Sequence, residues 1–231
     1  MPKPPALRTV AASPMCVAGC MSAIPLRIIA RGRPVKILTT PSVRTPNPPC
    51  PAAFSIASAA ERAFAGLSDE QMRVRPREDL NSLAWLMWHI ARAEDIFLNP
   101  VLTGRTQVFD EGWAAKLGIT RRDFGIGMTS PEVSELTRQI DLAALREYRD
   151  AVGRRTREAV EGFDWDGTVA AEAMEKAASQ GGFGARTEGV VKVFTGRPRA
   201  MILSGIALMH PATHIGEAAT VRSAGGFGTG V

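Results

Sequence analysis

Apolar residues recur every three or four positions through four stretches of this chain, the spacing of helices that bury one stripe. Runs that alternate as strands do are almost absent. The first stretch runs from about Ala52 to Gly66, with Phe54, Ala57, Ala60 and Phe64 facing inward and Glu61 and Arg62 near the edge. The second follows Asn81, a good N-cap, and continues to about Leu102 before Gly104. A turn at SPEVSEL leads into the third, which begins at Asp141. Its stripe is Leu142, Leu145, Tyr148, Val152, Thr156, Ala159 and Phe163, opposite Arg146, Arg154 and Arg157. The fourth starts near Pro198 and stops before Gly225 and Gly226. This pattern predicts an all-α fold. Long connections separate the second, third and fourth stretches; they include a charged AAEAMEKAA piece that reads as a short helix and a GGFG segment that reads as a turn.

All three histidines fall on these stretches. His210 and His214 are four residues apart in HPATHIGE, and His89 stands alone in WLMWHIARAE. At 100° per residue, His214 lies about 40° around the helix from His210 and Glu217 about 20° to the other side, so the three share a face. Leu203, Ile206, Ala207 and Val221 lie on it too. On the second stretch, Trp85, Leu86, Ala93, Ile96 and Phe97 surround His89 on an amphipathic helix's apolar side, while Arg92 and Asp95 point elsewhere. A lone histidine on an apolar face is usually a core residue, and H-x3-H alone is a weak motif. Three inward imidazoles from two helices are a stronger pattern, because together they can hold a divalent ion and leave coordination positions free.

Composition divides the chain. Residues 1–50 hold seven Lys or Arg, no Asp or Glu, ten of the 16 prolines and all three cysteines. The net charge of +5 therefore belongs to this segment; beyond it, 21 basic residues face 23 acidic ones. The segment reads as a disordered leader: a targeting peptide, a flexible arm or an upstream stretch from a misplaced start. MCVAGCMSAIPLRIIA is interrupted by Ser, Pro and Arg and makes a poor secretory signal. No run approaches the ~20 apolar residues of a membrane span, and no basic stripe with interleaved aromatics suggests nucleic-acid binding. The expected organisation is a leader over 1–51, a helical domain over 52–225 and a tail over 226–231, in a cytoplasmic protein. Without a cysteine beyond residue 50, the helical domain has no thiol of its own.

The segment GLSDEQMRVRP...NSLAWLMWHIARAED, followed by a late HPATHIGEAATVR, resembles the DinB-like family of metal-binding four-helix bundles over roughly residues 53–225. The resemblance implies a bundle of up-down-down-up connectivity, often dimeric. It also implies a zinc, nickel, manganese or iron ion held through positions that fall here on His89, His210 and His214. Family members include transferases and isomerases that use thiols such as mycothiol or bacillithiol. The expected function is thus a metal-dependent enzyme that activates a low-molecular-weight thiol for transfer to, or isomerisation of, a small electrophilic substrate. Glu217 would support the ligands, complete coordination or move protons. The alternatives are a metal-dependent hydrolase with Glu217 as base, and a non-enzymatic stress-associated module. A homodimer is expected, without nucleic-acid or membrane partners. Tyr148 needs a hydroxyl partner and could reach the pocket, although core packing is the commoner fate. Trp85, Trp88, Phe97 and Trp113 could line an apolar mouth, although aromatics at helical spacing are usually core, and none is named as a binding residue. Pro211 departs from the family pattern: it removes a helix hydrogen bond to the Ala207 carbonyl and disfavours α geometry at His210, so a kink is expected there.

Overall fold

The computed structural model describes residues 61–230. Among them every regular element is helical, and extended backbone pairs only at an isolated bridge between Thr168 and Pro198. Residues 61–64 are helical; the rest of the first predicted stretch, and the leader over 1–51, lie outside the described residues. The helices are α1 (Asp69–Arg73), α2 (Leu83–Ile96), α3 (Glu111–Leu117), α4 (Ser130–Gln139), α5 (Leu142–Val160), α6 (Ala171–Ser179), α7 (Thr187–Phe194), α8 (Arg199–Ser204) and α9 (His210–Ala224).

Polar side chains start several of the helices, α2 among them. The Ser82 hydroxyl accepts from the Trp85 N–H at 3.0 Å and so caps α2, one residue later than the sequence pattern suggested. Asp141 caps α5 by accepting from the Ala144 N–H at 2.7 Å. The Glu132 carboxylate accepts from the Thr129 N–H at 2.7 Å at the start of α4, so SPEVSEL, a turn by its sequence, opens a ten-residue helix instead. AAEAMEKAA is indeed helical, as α6.

Among the described residues helix α2 packs against α5, α9, α1 and α4. The sequence pattern read it as amphipathic, but all 14 of its residues are buried. Arg92 and Asp95 do leave the His89 face, and they do so into a second buried layer, not into solvent. Each is 0% exposed, a position charged groups tolerate only when paired and hydrogen-bonded. The Arg92 guanidinium donates to Asp95 at 3.1 Å and to the Tyr148 hydroxyl at 2.9 Å, and Tyr148 in turn donates to Asp95 at 2.7 Å. Asp95 also accepts from Asn99 and from the backbone N–H groups of Val108 and Phe109, which binds the 104–109 connection to the helix. Burial holds the Tyr148 phenol well above its ordinary pKa, so it remains a proton donor here. The Tyr148 hydroxyl therefore belongs to this network and does not reach the histidines.

Two prolines coincide with two widened turns. Beyond Ile96, α2 runs on as a π-helical segment, Phe97–Thr103, that contains Pro100 and ends at Gly104. Likewise α8 runs into a π-helical segment, Gly205–Met209, directly before α9 and Pro211. A proline inside an α-helix has no N–H to donate and crowds the carbonyl four residues back; widening the turn relieves both. His210 itself keeps ordinary helical angles, φ −62° and ψ −51°. The distortion expected at His210 is thus taken up one turn earlier.

The core forms two connected layers. One gathers α2, α5 and α9 around Leu86, Leu145, Val152 and Val221. The other packs α6, α7 and α8 against the Phe97–Thr103 segment around Phe97, Phe124 and Phe183. Each such side chain, fully buried, contributes on the order of 1.5–3 kcal/mol, and the first layer sets the face of α9 against the His89 face of α2.

Candidate metal centre

His89 sits mid-way along α2, His210 opens α9 and His214 follows one turn later. Their ligand-capable nitrogens all lie within 4.8 Å of one another. Ring centroids are 4.8 Å apart for His89 and His210, 4.7 Å for His89 and His214, and 4.6 Å for His210 and His214. The structure brings the three predicted residues together, with His89 buried and the other two half-buried.

Outer contacts fix which nitrogens face inward. His89 Nδ1–H donates to the Phe124 carbonyl, which leaves its Nε2 as a lone-pair donor. His214 Nδ1 meets Glu217 Oε2 at 2.8 Å, which leaves the His214 Nε2 free in the same way. The other Glu217 oxygen accepts from Asn81 Nδ2 at 2.8 Å. His210 is held differently. Its Nε2 lies 2.9 Å from His89 Nε2, and its Nδ1 is buried with no partner. Trp85 stacks on His89 at 4.6 Å with 10° between the planes.

The electrostatics favour neutral His89 and His210. Burial, with His214 adding to it, lowers His89 to about 4, against the Phe124 hydrogen bond and Glu217, which pull the other way. Burial and the two neighbouring imidazoles lower His210 to about 3. Burial alone would raise Glu217, but hydrogen bonds from His214 and Asn81 outweigh it and hold the carboxyl below its ordinary range. At neutral pH His89 and His210 therefore present neutral nitrogen donors, with the ionised Glu217 carboxylate behind His214.

That donor set fits a divalent cation. Neutral imidazoles suit zinc, iron and nickel, and a histidine that gives its other ring N–H to a carboxylate or carbonyl is the usual outer support of a metal ligand. Two nitrogens bonded to one ion at ~2.1 Å lie roughly 3.0–3.4 Å apart, so the 2.9 Å between His89 and His210 falls just below that spacing and the two rings need to part only slightly to admit an ion. Among the four aromatics considered for a substrate mouth, Trp85 alone touches the histidines. Trp88 and Phe97 are core residues, and Trp113 packs on Tyr148. A cavity of about 630 Å³, with Phe64, Met87, Ile90, Arg149 and Arg157 in its wall, lies away from the site: none of the three histidines lines it.

Two contacts were not legible in the sequence. Asn81 resembles a helix cap, and its true role depends on α9, 136 residues away in the chain. The Phe124 carbonyl is a backbone group, so no residue type announces it; the nearest signal is the paired glycines of DFGIG.

A model of the DinB superfamily matches residues 56–187, more than half of the chain. The match includes His89 and ends before α8, so it is the structure that brings His210 and His214 to His89. No curated protein matches the chain.

Proposed function

The chain belongs to the DinB superfamily, and from that premise we propose that His89, His210 and His214 hold a divalent metal ion, zinc, nickel, manganese or iron, in an enzyme that activates a low-molecular-weight thiol. The convergence of three imidazoles on one point carries this reading. When bound, the ion would stabilise a thiolate at neutral pH and polarise an electrophile in its open positions. The protein's own residues do the rest. His89 and His214 present Nε2 because their Nδ1–H groups are committed outward. Glu217 holds the His214 proton, and Asn81 holds Glu217. The thiol, mycothiol or bacillithiol by the family resemblance, comes from outside, since no cysteine lies beyond residue 50. Its acceptor is a small electrophilic substrate for transfer or isomerisation.

A metal-dependent hydrolase is the second reading, and one observation weighs against its simplest form. Both Glu217 oxygens are already engaged, by His214 and by Asn81, which suits a positioning carboxylate better than a free base. A non-enzymatic module would keep the fold and lack turnover. The proposal extends to architecture: α2, α5 and the α8–α9 run belong to an up-down-down-up four-helix bundle, working as a cytoplasmic homodimer. Among the described residues no helix is long and apolar enough to cross a membrane. The exposed Met201, Leu208 and Met209 on the α8–α9 run offer apolar surface for a second copy.

The test is a turnover screen of electrophilic substrates with untagged, metal-loaded protein. Activity that needs both metal and added thiol is expected; metal-dependent activity indifferent to thiol would promote the hydrolase.

A further inference from the structure

The histidine site rests on a segment that its sequence motif does not contain. The 119–129 connection passes over α2, and at its centre the Phe124 carbonyl takes the His89 Nδ1–H. Three features hold that carbonyl in place. The Asp123 carboxylate accepts from the Gly125 N–H at 2.6 Å, folding a tight turn around Phe124, and is itself paired with Arg121 at 2.9 Å. Gly125 adopts φ +88°, and a Cβ there would lie 2.7 Å from the Trp88 ring, 3.0 Å from Trp85 and 3.1 Å from Met128 sulfur. The backbone can therefore lie flat on the two tryptophans only as glycine. Finally, the Phe124 ring packs edge-on against Phe97 and Phe183.

The glycine-rich GGFG segment, a turn by its sequence, supplies the backing. Its Phe183 is the ring behind Phe124. Gly184, at φ +51°, leaves room for Asp123: a Cβ there would lie 2.6 Å from the Asp123 carboxylate. Gly184 thus touches Asp123, Asp123 folds the turn, and the turn presents the carbonyl to His89.

We infer that Asp123, Gly125 and Gly184 are positioning residues for His89, selecting its Nδ1–H tautomer and aiming Nε2 at His210 and His214. The inference rests on the metal-centre reading for its consequence, but the tautomer itself exists without metal. A histidine ligand loses roughly 10–100-fold in metal affinity when its outer partner is removed, so perturbing the turn should weaken binding without deleting a ligand.

The experiment uses the full chain. Long-range 1H–15N spectra of metal-free protein should show His89 with a protonated Nδ1 and a bare Nε2. Gly125→Ala and Asp123→Ala should lose that signature and bind zinc ~10–100-fold more weakly in a chelator competition, still at one equivalent. Asp123→Asn, which keeps the oxygen that accepts from Gly125, should restore both. Gly189→Ala, on α7 with open space around it, is the control and should match wild type. If Gly125→Ala does not fold, the Asp123 pair decides. A folded Asp123→Ala protein with wild-type tautomer and affinity, or a wild-type His89 protonated on Nε2, overturns the inference. A wild-type chain with the expected tautomer but no bound zinc would support the positioning role and count against the metal reading instead.

Discussion

Helix α2 is buried along its whole length and cross-tied by Arg92, Asp95 and Tyr148, whereas the α8–α9 run leaves Met201, Leu208 and Met209 about half exposed or more and is widened where it meets Pro211. The histidines differ accordingly. His89 has a stacked ring on one side and a carbonyl on its outer nitrogen. His210 has only His89 as a polar partner and sits at the end of a π-helical turn. A site with one rigid ligand and a more adjustable pair can close on an ion without straining the core, because the adjustment falls where the fewest contacts are lost.

The largest test of this contrast lies in the rigid half. Asp95→Ala leaves the Arg92 guanidinium buried without its carboxylate counter-ion, and should cost about 3–5 kcal/mol in urea unfolding, or prevent folding; a loss under about 1 kcal/mol would show the ion pair to be dispensable. Acid titration probes both halves together. In metal-free protein the folded pKa values of His89 and His210, about 4 and about 3, lie below the unfolded value. Between ~6.5 and ~4 the unfolded chain therefore binds protons that the folded chain does not. Stability should be full above ~6.5, fall as pH drops through that window, and fall less in a His89→Ala, His210→Ala double variant. Equal slopes would contradict the burial of these imidazoles.

In the adjustable half, Pro211→Ala regains an N–H donor, worth ~0.5–1.5 kcal/mol, but loses ~0.4–1 kcal/mol of proline's restriction of the unfolded chain. The two nearly cancel, so the thermal midpoint should move little. Metal affinity should still fall several-fold if the π-helical turn sets the position of His210; unchanged affinity would detach Pro211 from the site. The smallest effect is expected from removing residues 1–50. Their acid-free, proline-rich composition lacks the apolar periodicity that offsets ordering entropy. Helical circular dichroism and a cooperative melt should survive; losing both would place that segment in the core.

What could be read from the chain in advance follows the same division. The α9 face was legible because 100° arithmetic on His210, His214 and Glu217 needs only a helix, and the start of α5 was legible because Asp141 is a cap by local chemistry. The burial of α2 on all sides was hidden by Arg92 and Asp95, whose charges read as solvent-facing until their partners, Tyr148 among them, are seen across the fold. The short α3 and α7 lay in stretches that read as connections. Pro211 announced a distortion but not its place, since the turn that yields is set by Gly205–Met209 and not by the proline's neighbours. Asn81 and the Phe124 carbonyl were illegible for a simpler reason: each acts on a residue far away in sequence.

That the three imidazoles behave as one centre is tested most directly by metal analysis of protein purified without a histidine tag. One equivalent of divalent metal per chain is expected, with His89→Ala, His210→Ala and His214→Ala each sharply reducing it while retaining helical circular dichroism, because two remaining imidazoles hold such an ion poorly. A wild-type chain that takes up no metal on reconstitution, or a folded triple-alanine variant that still carries one equivalent, would contradict it.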